Sequence, residues 1–294
     1  MKVVIGLPAY NEEKNIAPII LKLRKVWQNV IVCDDGSSDL TGEVAEKMGA
    51  ILVSNPKNMG YGAAIRELFL KAKEIDADVL VTFDADGQHR IDDINLVLEP
   101  ILKNDADIVI GSRFLNEGKF QGPKYRGVGI KAITTLTNTT TGSKISDSQS
   151  GFRAYNKKAL QNIAPSEHGM GVSTEILIKA AKQDLRITEV PITISYEGET
   201  STHHPVSHGA SVILSTLKFV SIEHPLKFYG IPGIIFLSVG LFFILWTLQI
   251  FTDEGRFVTN ISLIGIGGII AGTVLLMTSA ILYSIVSVVR EGTK

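Results

Sequence analysis

The chain has 294 residues, enough for one catalytic domain with an appendage but not for two independent enzymes. Its net charge of -1 and isoelectric point near 6.6 lack the basic surplus that binds nucleic acid, so nucleic acid is not an expected partner. The single cysteine, Cys33, lies in an apolar run and indicates a buried strand residue in a reducing, cytoplasmic compartment.

Short β-branched runs alternate with segments of helical period over the first 114 residues. The runs predict strands at 3–5, 30–32, 79–81 and 108–110, and the longer segments predict helices at about 13–26, 38–48, 61–75 and 92–103. This order predicts an α/β fold, in which helices cover both faces of a parallel sheet. Sheets of this kind bind ligands at the carboxyl ends of their strands.

Three polar motifs follow the predicted strands at 3–5, 30–32 and 79–81. They are Pro8-Ala9-Tyr10-Asn11-Glu12, Asp34-Asp35-Gly36-Ser37 and Asp84-Ala85-Asp86-Gly87-Gln88. One polar loop would indicate only exposure to solvent. Three at successive strand ends converge on one crevice, and this predicts a binding site there.

The third motif has the chemistry of a cation site. Asp84 and Asp86 are separated by one residue after a buried strand, and Gln88 adds an oxygen ligand two residues further on. Such oxygen ligands suit a hard divalent cation. A helix N-cap with a solvated turn is the alternative, because Asp is favoured there and a helix begins soon afterwards.

The middle of the chain, residues 111–150, is rich in Gly, Ser and Thr and locally basic. It predicts a loop and a helix over the site, a common place for substrate contacts. A last strand is predicted at 189–194. Residues 208–223 mix apolar and polar side chains, which indicates either an amphipathic helix at a membrane surface or ordinary packing against the domain. The basic residues of the middle are Lys119, Lys124, Arg126 and Lys131.

Two long apolar stretches follow. No charged residue occurs between Lys227 and Asp253 or between Arg256 and Arg290, and each stretch exceeds the roughly 20 residues that cross a bilayer. Basic flanks keep both ends of this hairpin in the cytoplasm. The sequence thus predicts a cytoplasmic domain at 1–207, a juxtamembrane segment at 208–227 and two transmembrane helices at 228–294. Close helix contacts, within the hairpin or between subunits of a homo-oligomer, are predicted at Gly265, Gly267, Gly268 and Gly272.

Read together with Gly111-Ser112-Arg113, the three polar motifs resemble the family 2 glycosyltransferases. More narrowly, the chain looks like the dolichol-phosphate mannosyltransferase and polyprenol-phosphate glycosyltransferase branch. The resemblance covers about residues 1–230 and implies a nucleotide-sugar-binding domain of the GT-A type. The motifs that carry the narrower resemblance are Asp84-Ala85-Asp86-Gly87-Gln88-His89, Gly111-Ser112-Arg113 and Asp147-Ser148-Gln149-Ser150-Gly151-Phe152-Arg153-Ala154-Tyr155.

This resemblance implies inverting transfer of a hexose from a nucleotide sugar, of the GDP-mannose or UDP-glucose type, to a polyprenyl or dolichyl phosphate, with Mg²⁺ or Mn²⁺ as cofactor. Asp147 has a turn cap as its alternative role, and the glycine loop around Gly60 a plain turn and helix cap. The implied nucleotide-sugar contacts are Pro8, Tyr10, Glu12, Asp35, Gly60 and Asp84. The implied catalytic residues are Asp84, Asp86, Arg113 and Asp147, the metal ligands Asp84, Asp86 and Gln88, and the lipid-phosphate contacts Arg113, Arg126 and Ser150.

One departure concerns the acceptor. Where the mannosyltransferases carry a basic residue after the last strand, this chain has Ser195-Tyr196-Glu197-Gly198 and then His203, His204 and His208. Either the imidazoles contact the phosphate or the geometry differs.

Two other functions remain as alternatives to the polyprenyl-phosphate transferase. A membrane polysaccharide synthase is disfavoured, because the chain lacks the Gln-x-x-Arg-Trp motif and further membrane spans of those enzymes. A non-catalytic nucleotide-binding membrane protein is disfavoured by the intact Asp84, Asp86 and Arg113.

Overall fold

The computed structural model describes residues 1–115, 124–193, 221 and 225–291, without the side chains of 124–126 and 289–291. The chain divides into two compact units, Met1–Thr216 and Leu217–Lys294. The first contains a mixed sheet between helices, and the second a pair of apolar helices.

Seven strands of the described residues form one sheet in the order β3-β2-β1-β4-β6-β5-β7. All neighbouring pairs run parallel except those of β6, which is antiparallel to both β4 and β5. The α/β prediction is confirmed, and β6 is an addition that the strand pattern did not predict. The strands are β1 Val3–Ala9, β2 Asn29–Asp34, β3 Ile51–Ser54, β4 Val79–Thr82, β5 Ile108–Ser112, β6 Arg153–Asn156 and β7 Ile187–Pro191.

Helices cover both faces of this sheet. Alternate residues of a strand point to opposite faces, so Ile5 packs in the core under α1 and α4, whereas Val4 packs in the core under α3 and α7. The predicted helix at 92–103 begins with a 3₁₀ turn, Ile91–Asp93, before α4. The helices of this unit are α1 Glu13–Arg24, α2 Thr41–Lys47, α3 Tyr61–Glu74, α4 Ile94–Leu102, α5 Lys124–Thr141, α6 Lys157–Asn162 and α7 Val172–Lys182.

The second unit is a helical hairpin. A π-helical turn, Leu226–Gly230, leads into α8, Ile231–Glu254, and a short loop connects it to α9, Thr259–Glu291. The stretches Leu226–Glu254 and Thr259–Val288 have mean hydropathies of 2.3 and 2.1, so both are long and apolar enough to cross a membrane. Most of the predicted juxtamembrane segment, 208–227, lies outside the described residues.

Glycines bring the two hairpin helices together. A Cβ added at Gly240 would lie 2.6 Å from the backbone nitrogen of Ile269, and one at Gly272 would lie 2.6 Å from that of Leu237. Such close backbone approach favours van der Waals packing where there is no water to drive association. Of the four glycines predicted to make close contacts, Gly265, Gly268 and Gly272 pack against α8, whereas nothing lies within 4 Å of a Cβ at Gly267.

Candidate active site

One edge of the sheet carries the predicted site. Strands β1, β2, β4 and β5 end there, and β6 begins there because it runs the other way. Pro8 is buried within β1, and Tyr10 is half-buried directly after it. The sheet thus gathers polar residues from distant parts of the sequence: Tyr10, Glu12, Asp35, Asp84, Asp86, Gln88, Arg113 and Asp147.

The first two loops of this edge are tied to each other. The backbone N–H of Asn11 donates to Ser37 Oγ at 2.9 Å, and the Asn11 side chain accepts from the N–H of Ser38 at 2.9 Å. The next residue, Glu12, donates its N–H to Thr41 Oγ1 at 2.7 Å. Asn11 has a φ of +55°, a left-handed conformation that Asn tolerates better than most residues. The two polar motifs therefore form one rim.

Asp35 is only 3% exposed and holds the glycine loop in place. Its carboxylate accepts from Asn55 Nδ2 at 2.6 Å and from the N–H groups of Met59 and Gly60 at 3.0 and 2.8 Å. Gly60 has a φ of +101°, and a Cβ there would lie 2.4 Å from the His168 carbonyl oxygen. The need for glycine thus arises from the protein's own backbone, and Asp35 stabilises this corner.

Asp84 lies between two side-chain donors. Tyr61 donates its hydroxyl to Asp84 Oδ1, and Nε2 of His89 contacts Asp84 Oδ2, each at 3.2 Å. Burial by itself would raise the pKa of Asp84, but the His89 and Tyr61 hydrogen bonds and the charge of Arg113 outweigh it and lower that pKa below its ordinary value. Asp84 is therefore held as a carboxylate.

Glu12 shares this acidic environment. Burial raises its pKa above the ordinary value, and the carboxylates of Asp86, Asp39 and Asp84 raise it further, against the lowering effect of a hydrogen bond from Asn15. Negative charge is thus concentrated at this edge. Such an environment would favour a bound cation electrostatically.

The donor set also fits a divalent cation that a substrate helps to hold. Asp86 Oδ1 accepts the backbone N–H of Gln88 at 3.0 Å, so the turn keeps both side chains on one loop. Within the described ranges, no group of three or more His, Cys, Asp or Glu residues is arranged to hold a metal ion. Mg²⁺ is commonly held by one or two carboxylates together with substrate phosphates. Asp84, Asp86 and Gln88 would supply the protein's ligands, and substrate phosphates would complete the set.

Arg113 and Asp147 lie next to the acidic group. Asp147 is completely buried and pairs with Arg113, whose Nε and Nη2 donate to its two oxygens. Glu189 of β7 holds the aspartate's loop, because its carboxylate accepts the N–H groups of Ser146 and Asp147 at 2.7 and 3.0 Å. The sequence motifs contained no signal for this role of Glu189, which lies 42 residues after Asp147 in the sequence.

Arg153, at the start of β6, fixes the loop that carries Ser150. It is 1% exposed, and its guanidinium donates to the carbonyls of Ser148, Ser150 and Ser173 at 2.7, 2.8 and 3.0 Å. Ser150 is itself 2% exposed, and its Oγ has no hydrogen-bond partner among the described residues. A buried hydroxyl without a partner is unfavourable, so this atom is a candidate contact for a ligand.

Gly151 allows this loop to approach Asp84. A Cβ at this position would lie 2.3 Å from the Tyr61 hydroxyl oxygen and 2.9 Å from both carboxylate oxygens of Asp84. The Gly151 carbonyl accepts the Thr82 hydroxyl at 2.6 Å, which anchors the loop to the end of β4. The loop after α5 and the loop after β4 therefore meet at Asp84.

A match to a protein-family model identifies the family of this chain. The model of the family described as glycosyl transferase family 2 matches residues 4–164, more than half of the chain. The chain belongs to glycosyltransferase family 2. The resemblance inferred from the motifs is therefore confirmed, and the protein is an enzyme.

Curated relatives of this family 2 glycosyltransferase include dolichyl-phosphate transferases. The UDP-N-acetylglucosamine–dolichyl-phosphate N-acetylglucosaminyltransferase of Methanococcus voltae is 34% identical over 229 residues, which cover 71% of this chain and 89% of the relative. The dolichyl-phosphate hexose transferase of Haloferax volcanii is 31% identical over 229 residues, covering 77% of this chain and 96% of the relative. The narrower branch recognised in the sequence is thus confirmed as well.

A solved structure has the same fold as this glycosyltransferase. Glucosyl-3-phosphoglycerate synthase from Mycobacterium tuberculosis, crystallised with Mn²⁺ and UDP-glucose, superposes with a TM-score of 0.57 at 21% identity. The match covers 75% of this chain and 78% of that chain. The similarity shows that the first unit has a GT-A-like fold.

Several of the residues predicted for this glycosyltransferase lie outside the described part of the chain. The backbone at Arg126 belongs to α5, but its side chain lies outside the described residues, as do 195–198, His203, His204 and His208. The residues that the motifs did not single out are Tyr61, His89, Arg153 and Glu189. His89 and Arg153 stood inside quoted motifs, but nothing local in the sequence indicated that Tyr61 and His89 both contact Asp84.

Proposed function

We propose that this family 2 glycosyltransferase transfers a hexose, with inversion, from a nucleotide sugar to a polyprenyl phosphate at a membrane. The observation that carries the proposal is the proximity of an acidic group, Asp84 and Asp86, to the Arg113–Asp147 pair at one sheet edge. The charge of Arg113 contributes to the lowered pKa of Asp84, so the two groups are electrostatically coupled. The names of the curated relatives support dolichyl phosphate as the acceptor class.

On the donor side, we assign the nucleotide contacts to the rim formed by the first two loops. Tyr10 is half-buried at this rim and has an aromatic face for a base, while Pro8 shapes the end of β1. Glu12 lies near the acidic group that would face the diphosphate. Asp35 and Gly60 act on the nucleotide chiefly by fixing the wall of its site, because Asp35 already accepts three hydrogen bonds from its own chain.

Asp84, Asp86 and Gln88 would hold Mg²⁺ or Mn²⁺ together with the donor's phosphates. The bound cation would stabilise the negative charge that develops on the departing nucleoside diphosphate. The protein's contribution is to keep Asp84 ionised and oriented, and to keep Asp86 and Gln88 on one short turn. Gly151 leaves room for this arrangement beside Tyr61.

On the acceptor side, Arg113, Arg126 and Ser150 are the proposed phosphate contacts. A guanidinium group suits phosphate oxygens well, and Asp147 orients that of Arg113 through two hydrogen bonds. The buried Ser150 hydroxyl, which has no partner in the described part of the chain, would gain one from the phosphate. In the absence of a basic residue after β7, the histidines at 203, 204 and 208 are the proposed supplement.

The reaction needs positioning more than it needs a base. A lipid phosphate is already an oxyanion at neutral pH, so one of its oxygens attacks C1 of the sugar without giving up a proton. The bond from C1 to the diphosphate oxygen breaks as the new bond forms, and C1 is inverted. The electron pair leaves with the nucleoside diphosphate, which departs as an anion.

The hairpin α8–α9 would anchor the enzyme beside its lipid acceptor. Two long apolar helices suit a multi-pass anchor, and by the positive-inside rule Lys227 before α8 and Arg290 near the end of α9 would favour a cytoplasmic position for both ends. The catalytic domain would then face the cytoplasm, where nucleotide sugars are supplied. We retain the proposed domain boundaries of 1–207, 208–227 and 228–294.

The test is sugar transfer by the purified full-length chain to a short-chain polyprenyl phosphate. GDP-mannose, UDP-glucose and UDP-N-acetylglucosamine are each supplied with Mn²⁺ or Mg²⁺, and a polyprenyl alcohol replaces the phosphate as the control acceptor. We expect one donor to be used, only with the phosphate, and the anomer of the product to be opposite to that of the donor. Processive growth of a polysaccharide, or no transfer from any donor, would contradict the proposal.

A further inference from the structure

His89 occupies a fixed position beside the acidic group. Its side chain is only 5% exposed and packs against the rings of Phe83 and Phe152, at centroid distances of 5.7 and 5.1 Å. The two phenylalanines are almost completely buried and pack edge-to-face at 5.3 Å. Close packing in this three-ring cluster leaves the imidazole little freedom to turn.

The hydrogen bonding of this ring is one-sided. Nε2 lies 3.2 Å from Asp84 Oδ2, whereas Nδ1 is buried and has no hydrogen-bond partner among the described residues. A hydrogen on Nδ1 would be a buried donor without an acceptor, which costs more than a lone pair without a donor. The neutral ring therefore carries its hydrogen on Nε2, and this N–H donates to Asp84.

Asp84 is restrained from its other sides as well. The Tyr61 hydroxyl donates to Oδ1, and the backbone of Gly151 lies so close that a Cβ there would be 2.9 Å from each carboxylate oxygen. Each oxygen of Asp84 thus accepts one hydrogen bond from a fixed donor and keeps a second lone pair. The orientation of that lone pair depends on the two donors.

We propose that His89 is a positioning residue, which holds Asp84 in the orientation that binds the divalent cation. The inference rests on the proposed function, because it assumes that Asp84 and Asp86 hold that cation. Hydrogen-bond partners of metal-binding carboxylates commonly fix the ligand before the metal arrives, and their loss costs about 10–100-fold in metal affinity. His89 does not itself contact the cation or the substrate in this proposal.

A matched pair of substitutions in the full-length chain tests the role of the N–H donor. His89→Gln places an amide N–H₂ near the position of Nε2, whereas His89→Met is similar in length and has no donor. Both remove the ring, so both lose the packing with Phe83 and Phe152. Binding of Mn²⁺ alone, followed by electron paramagnetic resonance of the free ion, measures the site without relying on turnover.

We expect the Met variant to bind Mn²⁺ about 10–100-fold more weakly than the unsubstituted chain, and the Gln variant to retain most of the affinity. His89→Phe keeps a ring but has no donor. It replaces the Met variant in this comparison if loss of the ring destabilises the fold. Equal affinities of the Gln variant and the donor-free variants, whether all normal or all weak, would overturn the positioning role. Asp86→Ala is the control for the site itself: if it binds Mn²⁺ normally, the proposed metal site fails, and the inference fails with it.

Discussion

Arg113 and Asp147 form a two-point ion pair, with Nε to Oδ2 at 2.6 Å and Nη2 to Oδ1 at 2.7 Å. The Asp147 side chain is fully buried and that of Arg113 is 10% exposed. Removing one partner of such a buried pair costs about 3–5 kcal/mol, because the attraction within the pair no longer offsets the desolvation of the remaining charge. We therefore expect Asp147→Ala to lower the free energy of unfolding by this amount and to abolish transfer, as measured by chemical denaturation and turnover.

A double variant separates stability from function at this pair. Replacing both charges by apolar residues of similar size is often neutral for stability, because no lone charge remains. Arg113→Met combined with Asp147→Leu should thus recover much of the lost stability while transfer stays absent. Normal transfer by the double variant would show that the pair does not bind the acceptor phosphate.

Asp86→Ala should abolish metal-dependent transfer and leave the fold largely intact. An acidic residue on a turn after a strand contributes little to packing, but it is one of two carboxylates proposed to bind the cation. Transfer rates with titrated Mn²⁺ and Mg²⁺ provide the measurement. Asp92→Ala is the matched control, because the Asp92 side chain is 88% exposed on the same stretch of chain. Equal activity of the two variants would refute the metal assignment.

The raised pKa of Glu12 makes the stability of the folded protein depend on pH. Burial, with the charges of Asp86, Asp39 and Asp84, raises its pKa in the folded protein above the ordinary 4.5. The folded chain then binds more protons than the unfolded chain between the two values, so stability falls as pH rises through that window and stays lower above it.

Glu12→Gln should therefore raise the thermal unfolding midpoint at pH 7 in the presence of a chelator. The gain should shrink strongly at about pH 4, below the ordinary pKa, where the carboxyl is mostly protonated in both states. The amide oxygen of Gln can still accept the hydrogen bond from Asn15, so that contact is retained. A gain of the same size at both pH values would mean that the effect comes from packing and not from charge.

Local sequence patterns predicted those strands and helices whose pattern is strong within their own residues. The strand centred on Ile31 forms at a continuous β-branched run, and the helix that begins at Tyr61 forms where the helical period is strong. β6 was not predicted as a strand because its four residues, Arg153–Asn156, contain no β-branched side chain. Its antiparallel direction is set by pairing with β4 and β5, whose nearest residues lie more than 40 positions earlier.

The candidate site was likewise predicted only where local sequence patterns determine it. The strand-end rule correctly predicted that Asp35 and Asp84 would lie on one edge, because parallel strands share their direction. It could not predict which side chains would orient Asp84, since Tyr61 is 23 positions away and reaches it only through the placement of α3. The pairing of Arg113 with Asp147 likewise spans 34 positions and depends on the reversed direction of β6.

The last prediction concerns α8 and α9, which contain no charged residue between Lys227 and Asp253 or between Arg256 and Arg290. A path for moving a lipid-linked sugar through the bilayer is expected to contain such residues, so we infer that the hairpin only anchors the enzyme. A chain ending at Glu223 should turn over a water-soluble, short-chain lipid phosphate at a normal rate. It should be slower than the full chain on long-chain lipid in vesicles, because the local concentration advantage of the anchor is lost. Equal rates on vesicles would contradict anchoring, whereas a folded but inactive truncated chain would make the hairpin part of the acceptor site.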